Sequence, residues 1–120
     1  MTTLGDTAFW ILTALADGRR HGYAILRDVA DSSGVAPKAT TLYASLERLE
    51  QQGLVRADGD EIVDGRARRY FALTDAGILR LEAQAAEFEG RARAARAALV
   101  RTALARTAMP RLTQATAAWA

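Results

Sequence analysis

The fold is decided by residues 37–77, which read PKATTLYASLERLEQQGLVRADGDEIVDGRARRYFALTDAG. In residues 39–52 the apolar side chains stand three or four positions apart, and this spacing predicts one helix with a single apolar face. The apolar positions are Ala39, Leu42, Leu46 and Leu49. Gly53 follows directly, and glycine is a typical residue for ending a helix.

Two strand-like runs follow this helix, at residues 54–57 and 70–73. An acidic stretch with a glycine, residues 58–64, lies between them, and we expect it to form a loop. It is followed by a stretch rich in arginine, residues 65–69. The order helix, strand, basic hairpin and strand is typical of a winged helix-turn-helix. In that architecture the helix enters a DNA groove and the hairpin, or wing, lies along the backbone. The sequence therefore predicts a mainly α fold of the α+β class.

The composition is that of an ordinary globular domain, with 120 residues, 50% of them hydrophobic, and a net charge of +2. No run approaches the roughly 20 apolar residues that a membrane span needs, so we expect a cytoplasmic protein with no membrane partner. The chain has no cysteine and a single histidine, which argues against a metal site. It also lacks a nucleophile elbow, a phosphate-binding glycine loop and a histidine pair. We therefore expect neither an enzyme nor a cofactor.

Two more helices are predicted before this segment, at residues 7–16 and 22–30. We expect Asp6 to cap the first helix and the turn-forming residues 31–34 to end the second. The second helix offers four candidates for burial: Tyr23, Ile25, Leu26 and Val29. Residues 1–74 then make up the predicted DNA-binding domain.

A fourth, long helix is predicted over residues 75–108, with Thr74 as its N-cap. Its apolar and small residues recur at heptad spacing: Ile78, Leu81, Ala85, Phe88, Ala92, Ala95 and Leu99. A helix of roughly thirty residues is about 45 Å long, which exceeds a domain built from the preceding residues. Its seam needs a partner, and the simplest partner is a second copy, so we expect a dimerisation helix. Residues 109–120, which include Trp119, form a predicted tail.

The chain resembles the PadR family of transcriptional regulators over about residues 8–80. The resemblance is carried by an ordered combination of short motifs: His21-Gly22-Tyr23, Thr41-Leu42-Tyr43, Gly53-Leu54-Val55, Gly65-Arg66 and Arg69-Tyr70-Phe71. The C-terminal part is a single helix with a short tail, as in short-tailed members of the family. The resemblance implies a winged helix-turn-helix, a dimerisation helix and repression from a two-fold-related operator in double-stranded DNA.

The candidate DNA contacts are polar residues on the third helix, at its approach and on the wing. They are His21, Tyr23, Lys38, Thr40, Thr41, Tyr43, Ser45, Arg48, Arg66, Arg68 and Arg69. Residues near the start of a recognition helix reach base edges most easily, so Thr40 and Thr41 are placed there, with Lys38 at a phosphate. Tyr43 either donates its hydroxyl to a phosphate or packs between helices, and Tyr23 presents the same alternative. His21 either caps the second helix or packs there, or it faces a phosphate.

Two further hypotheses concern partners. If the dimer encloses a central cavity, Trp10 and Phe88 would line it, and a small aromatic effector would stack there. This expectation draws on the small-molecule responses that the resemblance implies. The alternative function is a protein-interaction module, in which the winged helix is an adaptor that pairs through its C-terminal helix.

Overall fold

The computed structural model describes residues 3–108, which form four helices and a three-stranded antiparallel sheet. In chain order the elements are α1 (Asp6–Ala16), β1 (Arg20–His21), α2 (Gly22–Ser33), α3 (Ala39–Gln51), β2 (Val55–Val63), β3 (Arg66–Leu73) and α4 (Asp75–Ala108). The strand order is β1-β3-β2, so the short first strand pairs with the inner strand of the hairpin. The predicted winged helix-turn-helix of the α+β class, with a long C-terminal helix, is confirmed.

One hydrophobic core joins the first three helices to the sheet. Leu42, Leu46 and Leu49 of α3 are at most 2% exposed and pack with side chains from α1, α2 and the strands. Fully burying a leucine contributes about 1.5–3 kcal/mol, so these three fix which face of α3 points inward. The opposite face of the same helix is thereby left in solvent.

The wing is longer than the sequence indicated. Asp64 and Gly65 have φ values of 53° and 76° and form a two-residue hairpin turn between Val63 and Arg66, which pair in register. The acidic stretch expected as a loop lies instead mostly within β2. The expectation was wrong because this turn places the acids directly opposite the arginines, and such cross-strand pairs are favourable.

The start of α1 and the end of α2 differ slightly from expectation, and one strand was not predicted. Gly5 stands at the N-cap position of α1, and Asp6 is the first helical residue rather than the cap. Helix α2 continues to Ser33 and ends at Gly34, whose φ of 78° lies in the left-handed region that glycine adopts without strain. Strand β1, only two residues long, carries no periodicity that a sequence could reveal.

The start of α4 is tied to the end of α3. The Thr74 hydroxyl accepts a hydrogen bond from the Gly77 backbone N–H at 3.0 Å and donates one to the Gly53 carbonyl at 2.6 Å. The predicted capping role of Thr74 is therefore confirmed. A Cβ on Gly77 would overlap the Leu54 carbonyl oxygen, so only glycine allows this close approach.

The described chain divides into two compact units between Ala85 and Ala86. In the first unit, Gln84 of α4 is fully buried and its Oε1 accepts the Leu4 backbone N–H at 2.8 Å. Leu81 packs against the core of its own subunit and is half-buried there, and its expected place in the dimer seam stays a prediction. The division of domains at residue 74 stays a prediction.

No helix within residues 3–108 combines the length and apolarity that crossing a bilayer requires. The predicted tail, residues 109–120 with Trp119, lies outside the described residues.

Candidate nucleic-acid interface

The outward face of α3 carries most of the predicted reading residues. Lys38, Thr40, Thr41 and Arg48 are all exposed, on the side of the helix opposite the buried leucines. Lys38 occupies the N-cap position of α3, so its side chain stands beside the positive end of the helix dipole. All four side chains are therefore accessible from the solvent.

Ser45 does not belong to this face. Its exposure is only 8%, and it lies among the buried residues of α3. Ser45 follows Leu42 by three positions and precedes Leu49 by four, so helical periodicity puts it on the apolar face. The prediction of Ser45 as a DNA contact is wrong, because the polar character of serine was given more weight than its spacing.

A groove of about 400 Å³ separates the start of α2 and the middle of α3 from the wing strand β3. It is open to solvent, and its polar lining comes from all three elements. The lining residues are His21, Gly22, Tyr23, Tyr43, Ala67, Arg68, Arg69 and Phe71. The groove thus brings together predicted DNA contacts that lie as much as 48 positions apart in the chain.

His21 caps α2 and presents a donor to this groove. Its Nδ1 accepts the Ala24 backbone N–H at 3.2 Å, which confirms the capping role considered for it. The neutral ring then carries its hydrogen on Nε2, and Nε2 lies 3.4 Å from Nη1 of Arg68. Two N–H donors cannot bond to each other, so both are available to one acceptor placed between them, as a phosphate oxygen would be.

Tyr43 closes the side of the groove formed by α3. A Cβ on Gly22 would lie 2.7 Å from the Cζ of Tyr43, so the phenol packs directly over the glycine backbone. Tyr43 is nevertheless 51% exposed, so packing and exposure occur together. Tyr23, expected among the buried residues of α2, is 60% exposed, and that expectation is wrong. Its aromatic character suggested burial, but its position in the first turn of α2 faces the open groove.

The three wing arginines differ in their surroundings. Arg66 and Arg68 are exposed on one face of β3, as strand alternation predicts. Arg69 lies on the other face, its guanidinium 3.8 Å from the Glu50 carboxylate near the end of α3. With side chains 60% and 36% exposed, that ion pair is a weak surface contact, which connects the reading helix to the wing.

Sequence reasoning missed two residues at the edge of this groove. The guanidinium of Arg19 lies 4.1 Å from the ring centre of Tyr70, and the Tyr70 hydroxyl donates to Glu61 at 2.8 Å. That bond to a carboxylate raises the pKa of Tyr70 above its usual value of 10.0. The contact between Arg19 and Tyr70 joins residues 51 positions apart in the chain, and no motif or periodicity signals it.

The residues predicted for dimerisation and effector binding are distributed over both units. Ile78 and Leu99 are 46% and 67% exposed. Trp10 packs against the core and lines a second groove, of about 520 Å³, beside the turn between α2 and α3. Phe88 lies on the later part of α4, with the Arg91 guanidinium 5.9 Å from its ring centre.

Comparison with known proteins agrees with this architecture. The sequence profile of the Transcriptional regulator PadR-like family matches residues 11–83. The chain belongs to this family. A transcriptional regulator of Mycobacterium tuberculosis is 36% identical over 83 residues, which cover 69% of this chain and 76% of that protein. PadR-like proteins are transcriptional regulators rather than enzymes.

Solved structures of PadR-like proteins share the fold. A PadR family transcription regulator from Clostridium difficile superposes with a TM-score of 0.70 at 27% identity, over 79% of this chain and 99% of that one. PadR of Bacillus subtilis, solved in complex with operator DNA, gives a TM-score of 0.56 at 24% identity, over 62% of this chain and 44% of that one. The chain spans 25% of the length of a Streptomyces fradiae transposon protein and 63% of that of a Lysinibacillus sphaericus protein.

Proposed function

We propose that this PadR-like chain is a sequence-specific transcriptional repressor that binds double-stranded operator DNA as a homodimer in the cytoplasm. A small aromatic effector releases it from the operator. The observation that carries the DNA-binding part is the groove between α2, α3 and β3. There His21 and Arg68 bring N–H donors from two separate elements within 3.4 Å of each other, beside the half-exposed side chain of Tyr43.

The proposed binding mode follows from which side chains are exposed. Thr40 and Thr41, at the start of α3, read base edges in a major groove. Lys38 and Arg48 flank them and contact phosphates, because long cationic side chains reach the backbone on either side. One backbone phosphate lies in the groove between α2 and β3, where His21, Tyr43 and Arg68 each donate a hydrogen bond. That the Bacillus subtilis protein of the same fold was solved in complex with operator DNA supports DNA binding as such.

The proposed homodimer pairs through α4. Four of its exposed large apolar side chains have 58–67% of their surface in solvent, which favours a partner helix: Leu79, Leu99, Val100 and Leu104. Charges support an antiparallel arrangement, since residues 75–89 carry four carboxylates and one arginine, whereas residues 90–108 carry five arginines and no carboxylate. An antiparallel pair sets the acidic half of each helix against the basic half of the other.

Effector release is proposed at Trp10 and Phe88. Trp10 supports it because this ring also lines the groove that Lys38 and Thr41 share, so a compound stacked on it would disturb the start of the reading helix. Quenching of tryptophan fluorescence by planar aromatic compounds, lost in Trp10→Leu, tests the site. No quenching across a varied panel removes the effector from the proposal.

A gel-shift experiment tests DNA binding with the chain's own promoter region as the duplex. We expect a shift at nanomolar protein and a salt slope of about −7 for a dimer that neutralises about four phosphates per subunit. Arg68→Ala combined with Tyr43→Phe weakens the shift, whereas Arg56→Ala, at an exposed arginine of β2 outside the groove, serves as a control of equal charge. A chain that binds no promoter fragment but binds a helix of another protein through α4 would instead be the protein-interaction module.

A further inference from the structure

One arginine directly before β1 contacts both strands of the wing. Arg19 lies directly before Arg20, the first residue of β1, and its guanidinium covers the ring of Tyr70 on β3 at 4.1 Å. Its Nη1 also donates a hydrogen bond of 2.8 Å to the Asp58 carbonyl oxygen on β2. The next residue, Arg20, pairs with Asp28 of α2 at 3.0 Å, so this corner of the sheet is fastened to the helices.

Tyr70 is the centre of these contacts. His21, the cap of α2, meets the Tyr70 ring edge to face with the centroids 5.5 Å apart. The Tyr70 hydroxyl donates to Glu61 on β2, so the ring connects the start of α2 to both strands of the wing. A cation stacked on a ring and an edge-to-face ring pair are directional contacts, so they can set an orientation without forming a core.

The contacts fall where the wing is weakest. The register between β2 and β3 shifts between Ala57 and Asp60, so the ladder is interrupted before the outer hairpin begins. Asp58, whose carbonyl receives the Arg19 bond, stands in that interruption. A bulge bends and twists a strand, and a contact across it fixes the angle at which the hairpin leaves the sheet.

We infer that Arg19 and Tyr70 are positioning residues that set the angle of the wing and so place Arg66 and Arg68 at the DNA backbone. The inference rests on the proposed function, because the positioned arginines are its phosphate contacts. Arg19 itself acts through the wing: its guanidinium is committed to a ring face and to a carbonyl, both on the hairpin. The competing account is that Arg19, which is exposed, contacts a phosphate directly.

A double-mutant cycle separates the two accounts. Arg19→Ala weakens operator binding by about tenfold in the native chain, since a misdirected wing loses its phosphates. In the background of Arg66→Ala with Arg68→Ala, the wing has nothing left to position, and Arg19→Ala costs less than about twofold. A tenfold loss in both backgrounds means an independent phosphate contact and overturns the inference.

Conservative variants give a second comparison. Arg19→Lys keeps the charge that a phosphate needs but not the planar group that stacks and donates at once, so it does not restore binding. Recovery of native affinity by lysine contradicts the inference. Arg56→Ala is the matched control, because Arg56 is an exposed arginine of β2 whose partner is the Asp58 carboxylate rather than its carbonyl. It changes operator affinity by less than about twofold.

Hydrogen exchange without DNA tests the positioning step alone. Arg19→Ala and Tyr70→Phe speed amide exchange in residues 60–69, while α3 keeps its protection. Unchanged exchange in the wing overturns the inference even if the chain binds DNA well. A chain with a protected wing that binds no duplex instead refutes the proposed function and leaves the positioning of the wing standing.

Discussion

Helix α3 and the wing border the same groove, but they are held by different interactions. The three leucines of α3 are at most 2% exposed, whereas every residue from 59 to 69 is exposed or half-buried. Apolar burial places α3, and a stacked arginine, a tyrosine bond and a surface ion pair place the wing. Apolar burial involves no charges that ions could screen, whereas exposed ionic contacts are weakened as the salt concentration rises. Helix α3 is therefore held by the core, whereas the wing is held by contacts that salt and charge can change.

Truncating one apolar residue in each region gives the largest contrast. Leu46→Ala, at 1% exposure, lowers the free energy of unfolding by about 2–5 kcal/mol, because it removes buried methyl groups and leaves a cavity. Ile62→Ala on the wing, at 77% exposure, changes it by less than about 0.5 kcal/mol. Denaturant titration measures both. Equal losses would show that the wing shares the core.

The contact between α2 and α3 is the next test. Gly22→Ala puts a methyl group where the Tyr43 ring lies, so the ring must move and the variant loses about 1–3 kcal/mol of stability. Operator affinity falls as well, since Tyr43 leaves the groove. Gly22→Ala combined with Tyr43→Ala restores the stability lost to the overlap. A single variant with native stability would mean that the ring contributes nothing to how the two helices meet.

The charges of the wing are expected to act on affinity without acting on sequence preference. Arg66→Ala with Arg68→Ala removes about four phosphate contacts from a dimer and flattens the salt slope by about 3 to 4, while the preferred operator stays the same. Binding measured at several salt concentrations gives the slope. An unchanged slope removes the wing from the binding mode.

Thr41→Ala on α3 is the counterpart of that double variant. It leaves the salt slope unchanged and alters the order of preference among operator variants, because a base-edge contact reads sequence and a phosphate contact does not. Competition between operators with single base changes measures the preference. A uniform loss across all of them would assign Thr41 to the backbone.

The smallest expected effect is a pH dependence confined to the wing. The pKa of Tyr70 is raised above 10.0 because its hydroxyl donates to Glu61, so the neutral phenol is the form that the folded wing favours. This stabilisation is fully present below the unfolded value near 10 and is lost as the pH rises through the raised pKa. Amide exchange in β2 and β3 then rises at alkaline pH in the native chain. Tyr70→Phe lacks that alkaline rise in exchange. A rise that persists in the variant would show that another group titrates there.

Much of the fold could be predicted because its elements have local signals. The leucine spacing of α3, the glycines at 34 and 53 and the Thr74 cap each act within a few residues, and the structure contains all of them. The wrong predictions were those that used one local feature of the sequence and left out another. Ser45 followed the helical period inward despite its polarity, and Tyr23 stayed outside despite its ring. A two-residue turn converted a predicted acidic loop into a paired strand.

Within the candidate site, the sequence identified individual residues but not which of them lie next to each other. His21, Tyr43 and Arg68 could be named from motifs and charge. They line one groove only because of how α2, α3 and β3 pack. Arg19 had no motif at all. Its partners, Tyr70 and Asp58, become neighbours only when the sheet forms.

The sequence by itself determined the order of the four helices and the hairpin, the buried face of α3 and the membership in the PadR-like family. These depend on periodicity and on short motifs, which operate between residues close in the chain. Only the tertiary structure decided the angle of the wing, the direction of the His21 and Arg68 donors and the fit of Tyr43 over Gly22. Such features join residues far apart in the chain, and their geometry is set by packing and directional polar contacts that a linear pattern does not encode.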